Sequence, residues 1–272
     1  MQMRSKRRQG GFTLVEMAVV LVIIGVIIGA VMIGRDVQRN AEYTRIKQKF
    51  MDQWVVAYNT YSQRTGAPVG DNQAAPRLMV NGAKHGTGVA SGATISGGDM
   101  SNTQSPGALC QGNLPAGVTP AATGTDLRDI MRKAGITLPP GRGDGFEDRY
   151  AYLDTNGNPQ EVQVCFQWNP PGTGSGSGNV MVVTGLTPDL ARSLDQMVDG
   201  KSDPKAGAFR QAGITARTAN STANSSATAG SEEWEGNNTQ SASAGQGSAA
   251  TVGQNTDTEQ VLTLTAHYKM NQ

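Results

Sequence analysis

The sequence predicts an α+β protein in which a long N-terminal helix packs on an antiparallel β-sheet headgroup. Three observations carry that expectation. From Phe12 to Gly34 the chain is almost wholly apolar. From Arg35 to Gln63 it holds neither Gly nor Pro, while Ile46, Phe50, Trp54, Ala57, Tyr58 and Tyr61 recur at steps of three or four, the period of a helix with one buried face. Further on, short segments of alternating apolar and polar residues are separated by Gly, Pro, Asn and Asp, as strands and turns require.

The first 23 apolar residues, wound as a helix, would span roughly 34 Å, enough to cross the hydrocarbon core of a bilayer. Arg4, Lys6, Arg7 and Arg8 precede them, which places the N-terminus on the cytoplasmic side and everything after Gly34 across the membrane. A signal anchor, or a secretory signal cleaved near Ala30, would account for the same run. Neither explains Glu16, because a carboxylate inside an apolar span costs about 2.5–3.5 kcal/mol near its centre and asks for a partner.

From 35 to 65 the same helix continues as an amphipathic stem. Its charges, Arg35, Arg39, Arg45, Lys47, Lys49 and Arg64 against Asp36, Glu42 and Asp52, leave a net of +3, available to lipid headgroups or acidic neighbours or simply a solvated face. Gly66 and Pro68 end it. The stretch from 72 to 125 is poor in apolar runs and reads as an irregular connection, with short strands around Leu78–Val80 and Val89–Ile95. A short amphipathic helix follows from Asp126 to Gly135, capped by Thr125 or Asp126 and burying Leu127, Ile130, Met131 and Ala134.

Strands are expected over Arg149–Leu153 and Glu161–Trp168, joined by the turn from Asp154 to Pro159. Val162, Val164 and Phe166 alternate with Gln163, Cys165 and Gln167, so one face of the second strand should be buried. A glycine-spaced loop leads to a third strand over 179–184; its spacing fits no phosphate-binding or dinucleotide-binding pattern. A capped helix within Leu186–Gly200 comes next. Residues 214–258 are Ser, Thr, Ala, Asn and Gly with Trp234 as the lone large anchor, a low-complexity excursion on the surface. The segment from Gln260 to Lys269 alternates cleanly and is expected to return as a last strand.

Composition narrows the function. Of 272 residues, 37% are hydrophobic and 17% charged, with 35 glycines, so much of the chain is loop. The net charge is +1, and the headgroup beyond Thr65 carries −5, which argues against bulk electrostatic binding of nucleic acid. His85 and His267 have no sequence neighbours that suggest a nucleophile or base and read as solvent-facing. No catalytic residue, cofactor, metal or small-molecule substrate is therefore expected. Cys110 and Cys165 would meet an oxidising compartment once exported and offer a single disulfide, two separate buried thiols being the alternative.

The N-terminus carries a sharper signal. A short basic leader ends in Gly10-Gly11, then come Phe12, Thr13, Leu14, Val15 and Glu16, then the uninterrupted apolar helix. This resembles the type IV pilin and pseudopilin superfamily. The resemblance implies a leader at 1–11, cleavage after Gly11 by a prepilin peptidase, methylation of the new amino group of Phe12, and a helix at 12–34 retained as membrane anchor and then filament core. It further implies that Glu16 pairs with the α-amino group of a neighbouring subunit's Phe12 during assembly. Partners would be the peptidase, other pilin subunits and the inner-membrane assembly platform, with the headgroup at 66–272 periplasmic and later in a filament, in the periplasm or at the cell surface.

Three further stretches are similar to a prepilin subgroup. They are Tyr58 to Asp71, a Tyr-rich helix end before a turn in which Val69 separates Pro68 from Gly70; the helix after Asp126; and the block from Leu186 to Arg210. Some pseudopilins hold calcium on a loop, and Asp195, Asp199 and Asp203 could supply oxygen ligands. No calcium-loop spacing is met, so they read as caps and solvated acids. The size of the headgroup and its excursion point to a minor pilin. A pseudopilin of a type II secretion system is the alternative, and an adhesive tip module, contacting a surface or DNA through the excursion or Trp234, is a further one.

Overall fold

A computed structural model describes residues 13–85, 103–112, 118, 126–213, 234 and 263–270. The chain divides into two compact units, 1–42 and 43–272. In the first, the helix α1 (Leu14–Ile46) begins, and its residues from Leu14 to Ile33 expose their apolar side chains throughout. The reason is compositional: a helix apolar on every side has no polar face to turn to water and no preferred face to bury.

In the second unit the helix continues through one π turn (Lys47–Met51) into α2 (Asp52–Thr65). The expected stripe is the buried one: Ile46, Phe50, Trp54, Ala57, Tyr58 and Tyr61, joined by Tyr43 and Met51, are all at most 5% exposed. The π turn lets the adjacent Phe50 and Met51 both face inward, and Lys47 Nζ reaches both carboxylate oxygens of Asp52, five residues on, at 3.1 and 3.0 Å. Gly66 ends α2 in the left-handed conformation, φ 72°, with its N–H bonded to the Ser62 carbonyl.

The sheet has five strands: β1 (Arg149–Leu153), β2 (Pro159–Asn169), β3 (Gly178–Leu186), β4 (Phe209–Gln211) and β5 (Leu264–Lys269). All pairs are antiparallel, in the order β1-β2-β3-β5-β4. The last strand thus enters between β3 and β4 instead of adding to an edge. The helices α3 (Leu127–Lys133), capped by the Asp126 side chain on the Arg128 amide, and α4 (Pro188–Asp199) complete the headgroup.

One sheet face meets the stem. Phe166 stacks on Trp54 and Tyr58 with ring centroids 6.0 and 5.1 Å away, Phe50 meets Tyr150 at 5.6 Å, and Trp54 Nε1 donates to the Glu147 carbonyl. The expectation of a single buried face on β2 is corrected: Gln163, Cys165 and Gln167 are buried too. The segment 108–111 lies along β2, with Leu109 and Phe166 exchanging both backbone hydrogen bonds, and Ala108, Cys110, Cys165, Val180 and Val182 form a second, small core. A local alternation pattern could not show a cover supplied by a segment some 55 residues away.

A strand at Leu78–Val80 is also corrected. Those residues lie in a turn in which Leu78 and Asn81 have φ of 58° and 60°. The suggested strand at 89–95 lies outside the described residues. The sheet's curvature is eased by a register shift between Val183 and Leu186, where Gly185 adopts φ 76°. A Cβ there would run into the Glu161 carbonyl, so the position has room for glycine alone.

The edges are managed by local chemistry. The amides of Phe209 and Gln211, which point away from β5, are taken by the Asp199 carboxylate and the Pro204 carbonyl. That closes the β4 edge to further strand pairing.

Candidate functional site

The residues expected to be processed, Gly11 and Phe12, lie outside the described residues. Glu16 sits in the first turn of α1. Its Oε2 accepts from the Thr13 amide at 2.8 Å and the Thr13 hydroxyl at 3.0 Å, while Thr13 Oγ1 accepts from the Glu16 amide at 3.3 Å. This is a reciprocal capping box, and the Thr-x-x-Glu spacing at 13–16 already announces it. Within the single chain the carboxylate therefore has a local task, satisfying the Thr13 amide at the positive end of the helix dipole. An acid at this position is thus not carried as a bare charge.

Beyond Glu16 the surface is apolar over a membrane-spanning length. Residues such as Leu21 and Ile33, both at 69% exposure, and Val26, at 68%, are far more open than a water-soluble domain leaves a contiguous patch. A surface of this kind is covered by lipid, by other apolar helices, or by each in turn.

In the headgroup, Cys110 and Cys165 form the expected disulfide, closing a separation of 55 residues. It clamps the 108–111 segment to β2 beside the Leu109–Phe166 hydrogen bonds. The three aspartates considered for calcium are spent on backbone amides. Asp195 Oδ2 accepts from the Asp203 amide at 2.7 Å, Asp199 accepts from Ala208 and Phe209, and Asp203 Oδ1 accepts from Lys205. They are caps, as read, but Asp195 and Asp203 are buried and not solvated. Among the described residues no group of three or more His, Cys, Asp or Glu is placed to hold a metal ion.

Trp234 is corrected as an exposed contact residue. It is 2% exposed, stacks on Phe209 at 5.5 Å, donates its indole N–H to Asp195 Oδ2 at 2.8 Å and accepts from Arg192 through its carbonyl. Burial, helped by the nearby Asp199 carboxylate, pushes the Asp195 carboxyl up to about 7, against the pull of the Trp234 and Asp203 donors. Asp148, fully buried with one oxygen held by Gln163, is pushed up by burial to about 6.

Both histidines depart from the solvent-facing reading. His85 and His267 are 4% and 5% exposed. His267 Nδ1 lies 2.7 Å from Ser175 Oγ and 2.9 Å from Asn169 Nδ2, and burial lowers its pKa to about 4. Both neighbours share one ring nitrogen, and Nε2 is buried without a partner, so the cluster pins the glycine-rich loop to β5 as a neutral hydrogen-bonded unit. Sequence distance hid this cluster: Asn169 and His267 are 98 positions apart.

Comparison with known proteins adds one match. Residues 6–32 match the family described as the prokaryotic N-terminal methylation motif. No curated protein and no solved structure matches the chain.

Proposed function

We propose, from the premise that this chain is a type IV pilin-like or pseudopilin-like precursor, that it is the structural subunit of a type IV pilus-like filament, and a minor pilin within it. The observation that carries the reading is the conjunction of the methylation motif at 6–32 with an exposed apolar helix of membrane-spanning length. Prepilin peptidase cleaves after Gly11, Phe12 becomes the methylated N-terminus, and the subunit waits in the inner membrane with its headgroup on the far side. Assembly then exchanges lipid contacts for contacts between apolar helices.

In this reading Glu16 changes partners. Its Thr13 cap is local and exposed, and the α-amino group of a neighbouring Phe12 replaces it with a charge pair inside an apolar environment, where a misregistered subunit leaves a charge unpaired. The pairing sets axial register. A Glu16→Ala subunit that enters filaments as efficiently as the wild type would overturn that step.

The deciding experiment is mass spectrometry of the mature N-terminus in membrane and sheared-fibre fractions, with and without the peptidase. Methylated Phe12 in the sheared fraction supports the pilus reading. The same N-terminus confined to the cell envelope supports the pseudopilin. An intact Met1, or a start near Ala30, overturns both.

A further inference from the structure

The loop from Gly141 to Asp148, which leads into β1, is exposed at its tip and fixed at its base. The Arg142 amide donates to the carbonyls of Arg149 and Phe146 at 2.7 and 3.1 Å, closing the loop. Within it the Phe146 amide donates to the Gly143 carbonyl at 3.0 Å, and Gly145, third in that turn, has φ 87°, as a type II turn requires. Gly141 runs so close to the Glu147 backbone that no Cβ fits. On the core side Trp54 Nε1 donates to the Glu147 carbonyl and the Gln111 side chain to that of Gly145, tying the loop to the stem and to the 108–111 segment.

The tip reads Arg142-Gly143-Asp144. The Asp144 side chain, second in the turn, is 93% exposed and that of Arg142 is 58% exposed, while a Cβ at Gly143 would meet nothing within 4 Å. A partner can therefore reach a carboxylate and a guanidinium two residues apart across an open backbone. Both charges have pairs within the chain: Asp144 Oδ1 with Arg128 Nη2, and Arg142 Nη1 with Glu161 Oε2 at 2.6 Å. Pairs with a partner this open to water are worth little and yield to a competing ligand. Neither departure strands a charge, because Glu161 keeps Arg149 at 2.9 Å and Arg128 keeps Glu147 at 3.1 Å. The half-exposed Phe146 ring lies 5.9 Å from the Arg142 guanidinium and steadies it.

We propose that this turn is an adhesive ligand for a protein receptor whose site is a divalent cation flanked by acidic side chains. Asp144 gives the cation a carboxylate oxygen, the hard donor that Mg²⁺, Mn²⁺ and Ca²⁺ take, and Arg142 pairs with an acid beside it. A cation held by carboxylates offers both signs of charge within the short reach that separates Arg142 from Asp144, which a uniformly acidic or basic surface does not. A loop fixed before binding loses little entropy on docking. The proposal is independent of the filament reading, since a subunit that polymerises and binds no such receptor refutes the role of the loop alone.

The test immobilises the full chain in detergent and passes over it an integrin ectodomain that reads Arg-Gly-Asp, a receptor of this chemistry, first in Mn²⁺ and then in EDTA. Binding should appear in Mn²⁺, vanish in EDTA and be displaced by a short Arg-Gly-Asp peptide. Asp144→Glu keeps the charge and lengthens its reach, and should weaken binding roughly tenfold or more, the loss expected for one charged contact. Arg142→Lys, which loses the planar fork, should weaken it by a similar factor. Asp129→Glu, at an exposed position on α3, should change nothing. An unchanged melting temperature in Asp144→Glu separates loss of the ligand from loss of the fold. Absence of binding in Mn²⁺, binding that persists in EDTA, or full affinity in Asp144→Glu would each overturn the proposal.

Discussion

At the scale of single residues, the headgroup carries buried ionisable groups whose pH responses oppose one another. Asp195 has a folded pKa raised to about 7. Between its ordinary value near 4 and that raised value the native state holds a proton the unfolded chain has released, so its contribution to stability is present at acid pH and is lost as pH rises towards 7. An Asp195→Asn variant keeps an oxygen for Trp234 and Asp203 and removes the titration. Its melting temperature should therefore gain on the wild type as pH is raised from 4 to 8, measured by thermal unfolding across that range. His267 runs the other way. Its folded pKa is lowered to about 4, so the unfolded chain takes up a proton first as pH falls below about 6.5, and stability is lost from there down to about 4. His267→Gln should flatten that acid loss in the same experiment.

At the scale of elements, the clamp between the 108–111 segment and β2 can be separated from the sheet it rests on. Replacing Cys110 and Cys165 together by Ser should lower the unfolding free energy by roughly 4 kcal/mol in the chain-entropy account of a loop of this length, read from denaturant melts. The paired substitution avoids leaving a lone thiol. The Trp234 anchor can be divided in a similar way. Trp234→Ala should destabilise by about 3–5 kcal/mol, the usual range for emptying a large aromatic site. Trp234→Phe keeps a ring against Phe209 and removes only the indole donor to Asp195, so its loss should be about 1–3 kcal/mol. An equal loss in the two variants would mean that the hydrogen bond, and not the stack, holds the residue.

Much at this scale was legible beforehand. The stem stripe from Ile46 to Tyr61, the turn at Gly66, the cap at Asp126, the hairpin at Asp154 and the strands β1, β2, β3 and β5 all follow local rules of period, capping and turn chemistry. The second face of β2, the positive φ of Leu78 and the burial of both histidines were not legible, because each depends on what a distant segment brings alongside.

At the scale of the whole molecule, the apolar side chains of α1 from Leu14 to Ile33 are left uncovered by the described residues, a surface that suits lipid or other apolar helices. Cells expressing a Gly11→Ala subunit should retain the uncleaved leader and lose this protein from sheared fibres, with the headgroup still folded, as judged by an intact disulfide in the membrane fraction. Cleavage and export unchanged by that substitution would remove Gly11 from the processing site.

The sequence by itself determined the membrane-length helix, its continuation as a one-faced stem, the α+β class and the N-terminal motif, since these rest on contiguous residues and on periods of a few positions. Tertiary structure alone decided where the final strand lies, how the disulfide closes a second small core, and which aspartates and histidines are buried. The physical reason is the range of the interactions. Helix period, capping and turns are fixed within a few residues, whereas burial and the pKa values it moves arise from distant segments, such as those of Asn169 and His267, 98 positions apart, that meet only when the core closes.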